Sequence, residues 1–277
     1  MTTQTNIEQP WSLAGKAAIV TGASRGIGKA IAIHLARKGL TNIAITYANN
    51  QAAAEDTLEK VRALGVKNAI ALKADAAEPE AWPTVVKDSL AGLGVSTIDI
   101  LINNAVWGSI KEYLPVAQTT PEDFIKCMVG NVYSPVATIV AFLEHAAPKQ
   151  GGRVINISSV SGRIANAEPT MSYGASKAAL DSYTRSFAGH YALERGVTFN
   201  SVLVGPTDTD ALRGTLEAVG GDFEKHLVSE VTAAPRLGQV EDIAYIVGFL
   251  ASEEGRWVNG AAVSANGGFK STIAALG

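Results

Sequence analysis

With one cysteine, four histidines and no excess of basic residues, the chain lacks the raw material of several protein classes. Cys127 alone cannot close an internal disulfide, and His34, His145, His190 and His226 are too dispersed for a metal-ligand pattern. No metal site is expected. A net charge of −3 without any lysine or arginine run argues against a nucleic-acid surface, which needs clustered cations. Residues 1–10 are polar and lack the basic start and apolar core of a secretory leader. No apolar run approaches the roughly 20 residues that span a bilayer. These absences lead to the expectation of a cytosolic protein with a small-molecule partner, neither nucleic acid nor membrane. There is also no long Pro/Gly/Ser-rich linker, and 277 residues that are 47% hydrophobic suffice for one large α/β domain.

What is present is a regular alternation. Strands are predicted near Ala17–Val20, Asn42–Tyr47, Ala69–Leu72, Ile98–Ile102, Arg153–Ile157, Thr198–Leu203 and Ala262–Ser264, with helical stretches between them. Such an order calls for right-handed crossovers and a doubly wound parallel sheet of about seven strands, with ligands at the carboxyl ends of the strands. A polar extension over residues 1–12 precedes a single domain over 13–277. Thr120-Pro-Glu-Asp123 reads as a helix start, with a capping threonine, an early proline and an acid three residues on; that helix carries Asn131 in its middle.

Two segments carry chemistry. Thr21-Gly-Ala-Ser-Arg-Gly-Ile-Gly28 lies between the first strand and a helix with Ile27, Ile31, Ile33 and Leu35 at helical spacing. Gly22, Gly26 and Gly28 allow a tight turn and close approach to a pyrophosphate, whose charge the free amides at the helix start would meet. Arg25 sits unfavourably at that positive helix end unless an anion is nearby, as the 2′-phosphate of NADP would be; the alternative is a solvated surface group. The second strand ends Thr46-Tyr-Ala-Asn-Asn50, with no carboxylate for a ribose 2′-hydroxyl. NADP(H) is therefore expected over NAD(H), with Asn49 and Asn50 as neutral donors. The second segment is Tyr173-x-x-x-Lys177, which places phenol and ammonium on one helix face. A neighbouring cation would lower the phenol pKa toward working pH.

These pieces, with Asp75, Asn103-Asn104-Ala105, Asn131, Ile157-Ser158-Ser159 and Gly205-Pro-Thr-Asp-Thr209, stand in an order that resembles the short-chain dehydrogenase/reductase family from about Leu13 to Phe269. The resemblance implies a Rossmann-type domain and a catalytic tetrad of Asn131, Ser159, Tyr173 and Lys177. Ser158 and Ser161 compete with Ser159 for the polarising role, Ser161 also as a pocket residue. It implies cofactor contacts from Gly22, Ser24, Arg25, Gly26, Ile27 and Gly28; from Tyr47, Ala48, Asn49 and Asn50; and from Asp75 and Ala76 at the adenine. It further implies Asn104 and Ala105 beside the ribose, with Gly205, Thr207 and Thr209 at the nicotinamide. Asp75 could instead cap its loop, and Thr209 could be a turn residue. A homotetramer is implied as well, joined mainly through 123–144 and 172–194.

The chain departs from the family pattern where Asn-Asn-Ala-Gly becomes Asn-Asn-Ala-Val106, followed by Trp107, and where Pro-Gly becomes Val204-Gly205. Val106 and Trp107 add bulk beside the substrate position, which suits an aromatic or fused-ring compound, although the indole could equally pack inward. Within the family the likeness is to fungal NADPH-dependent ketoreductases of secondary metabolism, similar to hydroxynaphthalene reductases. Residues 205–235 read either as a substrate lid or as two surface helices. The expected reaction is NADPH-dependent carbonyl reduction. Imine reduction, or a repurposed fold acting as cyclase, isomerase or regulator, stands as the alternative; enoyl reductases of the superfamily space Tyr and Lys more widely.

Overall fold

The first strand shows how the sheet divides the molecule. In the computed structural model, which describes residues 9–269, β1 (Ala17–Val20) sends Ala17 and Ile19 to one face and Ala18 and Val20 to the other, all buried. A strand buried on both faces needs a continuous apolar run, which β1 has. The other strands are β2 (Asn42–Tyr47), β3 (Asn68–Lys73), β4 (Ile100–Asn103), β5 (Gly152–Ser159), β6 (Val197–Val204) and β7 (Ala262–Ala265). All pair in parallel in the order β3-β2-β1-β4-β5-β6-β7.

Helices α1 (Gly26–Arg37), α2 (Gln51–Ala63) and α9 (Val240–Ala251) cover one face, burying Ile31, Leu35, Leu58, Val61 and Val247 against Val20, Ile45 and Ile102. Opposite them lie α3 (Trp82–Leu93), α5 (Ser134–His145) and α6 (Met171–Arg195), which bury Trp82, Phe142 and Phe187 against Ile19, Leu101 and Phe199. The order reverses between β1 and β4. There the two connections leave in opposite directions and open a crevice at the carboxyl ends.

Two expectations are corrected. Ile98 lies just ahead of β4, its N–H bonded to the Ala146 carbonyl, so this strand begins at Ile100. The helix starting at Pro121 keeps its predicted capping box, through Thr120 and Asp123, but does not carry Asn131 in an α-helical middle. Helix α4 (Pro121–Met128) passes into a π turn, Val129–Tyr133, before α5 resumes. Among the described residues, Pro121–His145 as a whole is long and apolar enough by length and composition to cross a membrane. Half of its most apolar window is buried within the fold, as in a helix that lines a core.

Candidate active site

The glycine turn is held open by its neighbours. Thr21 accepts the N–H groups of Asn104 and Ala105 through its hydroxyl, while the Asn104 side-chain amide donates to the carbonyls of Thr21 and Gly22. A Cβ on Gly28 would stand 2.5 Å from both Asn104 Nδ2 and the Gly22 carbonyl, so only glycine fits. Gly26, at φ +56°, is different: a Cβ there would meet only Thr209 Cγ2, at 3.9 Å. It faces a gap bounded by the glycine turn and the start of α7 (Asp210–Val219). Helix α1 begins at this gap with no side-chain cap and no acid in its first turn, so its leading amides are available to an anion. The open space beside Gly26 and the uncapped α1 amides suit a pyrophosphate's charge. Ser24 and Ile27 line the same turn, half-buried.

Other expected cofactor contacts divide. Arg25 is exposed, with Asp210 at 3.8 Å across the gap as its ion-pair partner. Tyr47 ends β2 and Ala48 follows it, both half-buried; Asn49 is exposed, and Asn50 spends its side-chain oxygen capping α2 at Ala53 N–H. Asp75 accepts the Ala77 N–H, so one carboxylate oxygen does cap its own loop. Ala76 is buried, and its carbonyl takes the Ser134 hydroxyl. Thr207 is buried, and its hydroxyl donates to the Gly205 carbonyl at 3.0 Å. Gly205 packs against Asn266. Thr209 caps α7 at Leu212 N–H and still faces Gly26.

Three of the four expected tetrad residues, Ser159, Tyr173 and Lys177, meet at the end of β5. Because successive strand residues face opposite ways, Ser158 and Ser159 separate. Ser158 reaches toward the Lys177 carbonyl at 3.5 Å, whereas Ser159 accepts the Ser161 N–H at 3.1 Å and hydrogen-bonds Tyr173. Alternation thus puts Ser159, and not Ser158, on the side of Tyr173. Ser161 is committed to this turn through its N–H, and its carbonyl takes the Asn166 amide.

Lys177 donates to the Ile157 carbonyl at 2.9 Å and lies 5.6 Å from the Tyr173 ring centroid. Burial depresses its pKa to about 8, against the raising effect of Asp181 and Cys127. The expected lowering of the phenol is overturned. Burial raises the Tyr173 pKa and outweighs the bond from Ser159, so the phenol holds its proton at neutral pH.

Asn131, 1% exposed, is a strut. Its oxygen accepts the Trp107 N–H at 2.8 Å, and its amide reaches Tyr113 Oη and Ser176 Oγ at 3.3 and 3.2 Å. The π turn makes this possible by bringing Gly130 under Trp107, where no Cβ would fit. Trp107 packs into the core on this side and stands edge-on to Tyr113, so the inward alternative holds. Val106, 46% exposed, is the residue left facing outward. The sequence reading missed Tyr113. Its hydroxyl donates to the Trp107 carbonyl and its ring lies 5.6 Å from that of Tyr173. No spacing signal marks it.

A cavity of about 240 Å³ lies elsewhere, lined by residues including Thr207, Ile243, Ile246 and Asn266. None of the tetrad borders it. The segment between it and the crevice forms α7 and α8 (Phe223–Ser229), neither of which has a buried residue.

A doubly wound parallel sheet with a glycine turn after β1 and a Ser–Tyr–Lys cluster after β5 is the arrangement of a Rossmann-type oxidoreductase. A family model described as Enoyl-(Acyl carrier protein) reductase matches residues 22–270. The short chain dehydrogenase penD of Penicillium thymicola is 52% identical over 269 residues, covering 97% of each chain. Among solved structures, a short chain dehydrogenase from Burkholderia cenocepacia in complex with NADP is similar, with TM-score 0.82, 33% identity and coverage of 93% of this chain and 99% of that one. A blue fluorescent protein from a metagenomic library in complex with NADPH has TM-score 0.81 and 36% identity, over 93% and 99%. The chain belongs to the short-chain dehydrogenase/reductase family.

Proposed function

We propose that this enzyme reduces a ketone carbonyl to an alcohol with NADPH. The observation that carries the reading is the convergence of Ser159 and Tyr173 at the end of β5, with Lys177 buried behind them. Bound NADPH supplies the hydride. The glycine cradle and α1 amides would hold its pyrophosphate, and Arg25 and Asn49 its 2′-phosphate. Ser159 donates a hydrogen bond to the carbonyl oxygen and favours the charge that develops there. Tyr173, protonated because burial raises its pKa, gives its proton to the nascent alkoxide. Lys177 supplies positive charge behind the phenol and a donor for the ribose hydroxyls. Asn131 holds the Val106–Trp107 loop, its side-chain oxygen on the Trp107 N–H and its amide protons engaged by Tyr113 and Ser176.

NADP-bound structures among the relatives support the cofactor choice. The exposed Val106 at the mouth favours a flat aromatic or polycyclic substrate, and the likeness to penD supports a setting in fungal secondary metabolism. Helices α7 and α8 serve as the lid. Exposed Phe124, Ile125, Tyr133 and Val140 on the α4–α5 run, with Tyr183 on α6, support a homotetramer, and a cytosolic setting belongs to the same reading. Enoyl reduction, named in the matching family description, is disfavoured by the three-residue Tyr–Lys interval.

The test is NADPH and NADH consumption over a panel of aromatic ketones, quinones, cyclic imines and enones, for wild type and Tyr173→Phe. Ketone turnover that falls about 10²- to 10⁴-fold in the variant while NADPH still binds supports the reading. Turnover confined to enones, or unaffected by the substitution, refutes it.

A further inference from the structure

The turn after β5 lies along α6, meeting it at three successive levels. At Gly174 an added Cβ would collide with the Asn166 side chain and stand 2.7 Å from the Ser161 carbonyl. Near Lys177, a Cβ on Gly162 would come within 3.0–3.1 Å of the Lys177–Ala178 backbone. One helical turn further, Arg163 Nε reaches Asp181 Oδ2 at 3.5 Å. Tyr173, Lys177 and Asp181 are spaced by four, so they share the helix face that this turn covers. Ser159 is the root of the turn. The ion pair therefore closes the far end of a seam whose near end holds Ser159 against Tyr173.

Asp181 is 2% exposed, and its Oδ1 has no hydrogen-bond partner among the described residues. A carboxylate so placed exerts its field inward rather than on solvent. The titratable groups that act on Lys177 are Tyr173 and Asp181 on α6 and Cys127 on α4, with Arg163 on the covering turn paired to Asp181; β5 contributes the Ile157 carbonyl. Among these, Asp181 is the sole carboxylate. Burial alone pulls Lys177 toward its neutral form, and Asp181 is the first influence in the other direction.

We propose that Asp181, held by Arg163, is a positioning residue of the reaction: it locks the Ser159 turn onto the helix of Tyr173 and supplies the buried negative charge that keeps Lys177 protonated. The kinetic consequence rests on the carbonyl-reductase reading; the charge on Lys177 does not.

Two substitutions break the same ion pair with opposite electrical effect. Asp181→Asn removes the anion facing Lys177, so the lysine should titrate lower by about one pH unit or more. Arg163→Gln removes the cation competing for Asp181, so Lys177 should titrate higher. A purely structural clamp would move both variants in one direction. The readout is an NMR titration of Lys177 in ¹³C-lysine-labelled full-length protein, with Lys177→Arg to assign the signal. Asp181→Glu should restore the wild-type value. Opposite shifts establish the proposal; shifts of one sign, or none, overturn it. If Asp181→Asn does not fold, the upward shift in Arg163→Gln decides alone. No substrate is needed, so a failure of the carbonyl-reductase reading would appear separately, as absent turnover with the two shifts intact.

Discussion

Replacing Gly26 by alanine should separate the cofactor cradle from the stability of the fold. Gly26 has φ +56°, where an L-residue costs roughly 1 kcal/mol. The added methyl would otherwise touch nothing closer than Thr209 Cγ2 at 3.9 Å, ordinary van der Waals contact. The thermal midpoint of the cofactor-free protein should fall by about 2–4 °C. The methyl projects into the gap assigned to the pyrophosphate. Displacing a phosphate from the α1 amides forfeits at least one charge-assisted hydrogen bond, about 1.5–3 kcal/mol, so the NADPH Kd should rise roughly tenfold to a hundredfold. Gly15→Ala is the control: Gly15 has φ +81°, its added methyl would meet no atom within 4 Å, and its turn precedes β1 at the opposite end of the sheet. Fluorescence titration with NADPH and thermal melts of both variants make the comparison. Equal NADPH affinity in the two, within a factor of about three, would refute the placement of the cradle.

Lys177 should leave a trace in the pH dependence of stability. Its pKa falls from 10.5 to about 8 on folding, so below pH 8 the folded chain bears the whole cost of burying the ammonium, about 3 kcal/mol. Between pH 8 and 10.5 the folded state has lost the proton and the unfolded state retains it, so this penalty is relieved as pH rises. Lys177→Met should flatten that rise in urea unfolding; an identical pH profile would contradict it. Tyr113→Phe removes the hydroxyl linking the Trp107 carbonyl and Asn131, and should cost about 1–3 kcal/mol in denaturant unfolding and raise substrate KM. Arg25→Ala should weaken NADPH binding while leaving NADH binding within about a factor of three, measured by titration with each cofactor.

Elements whose signal is local were legible in sequence. Ile19 and Val20 in an unbroken apolar run, and Ile31 and Leu35 one turn apart, report burial on two faces or on one stripe, whichever neighbours they meet. The Thr120 capping box is likewise complete within four residues. The role of Asn131 was not legible, because it depends on a π turn and on Trp107, Tyr113 and Ser176, which sequence separates widely. The burial of Thr207 follows from the turn it makes with Gly205 and its bridge to Gly238.

The succession of strands along the chain, the glycine turn, the helix pairing Tyr173 with Lys177 and the family itself were therefore determined by sequence, since short-range periodicity and motif order suffice for them. Tertiary structure decided what those groups are worth. It sent Ser158 and Ser159 to opposite sides by strand alternation, packed Trp107 against the core, and paired the buried Asp181 with Arg163. It also reversed the expected shift of Tyr173. The cost of desolvating a phenolate depends on everything packed around it, and here that cost exceeds what a hydrogen bond from Ser159 returns.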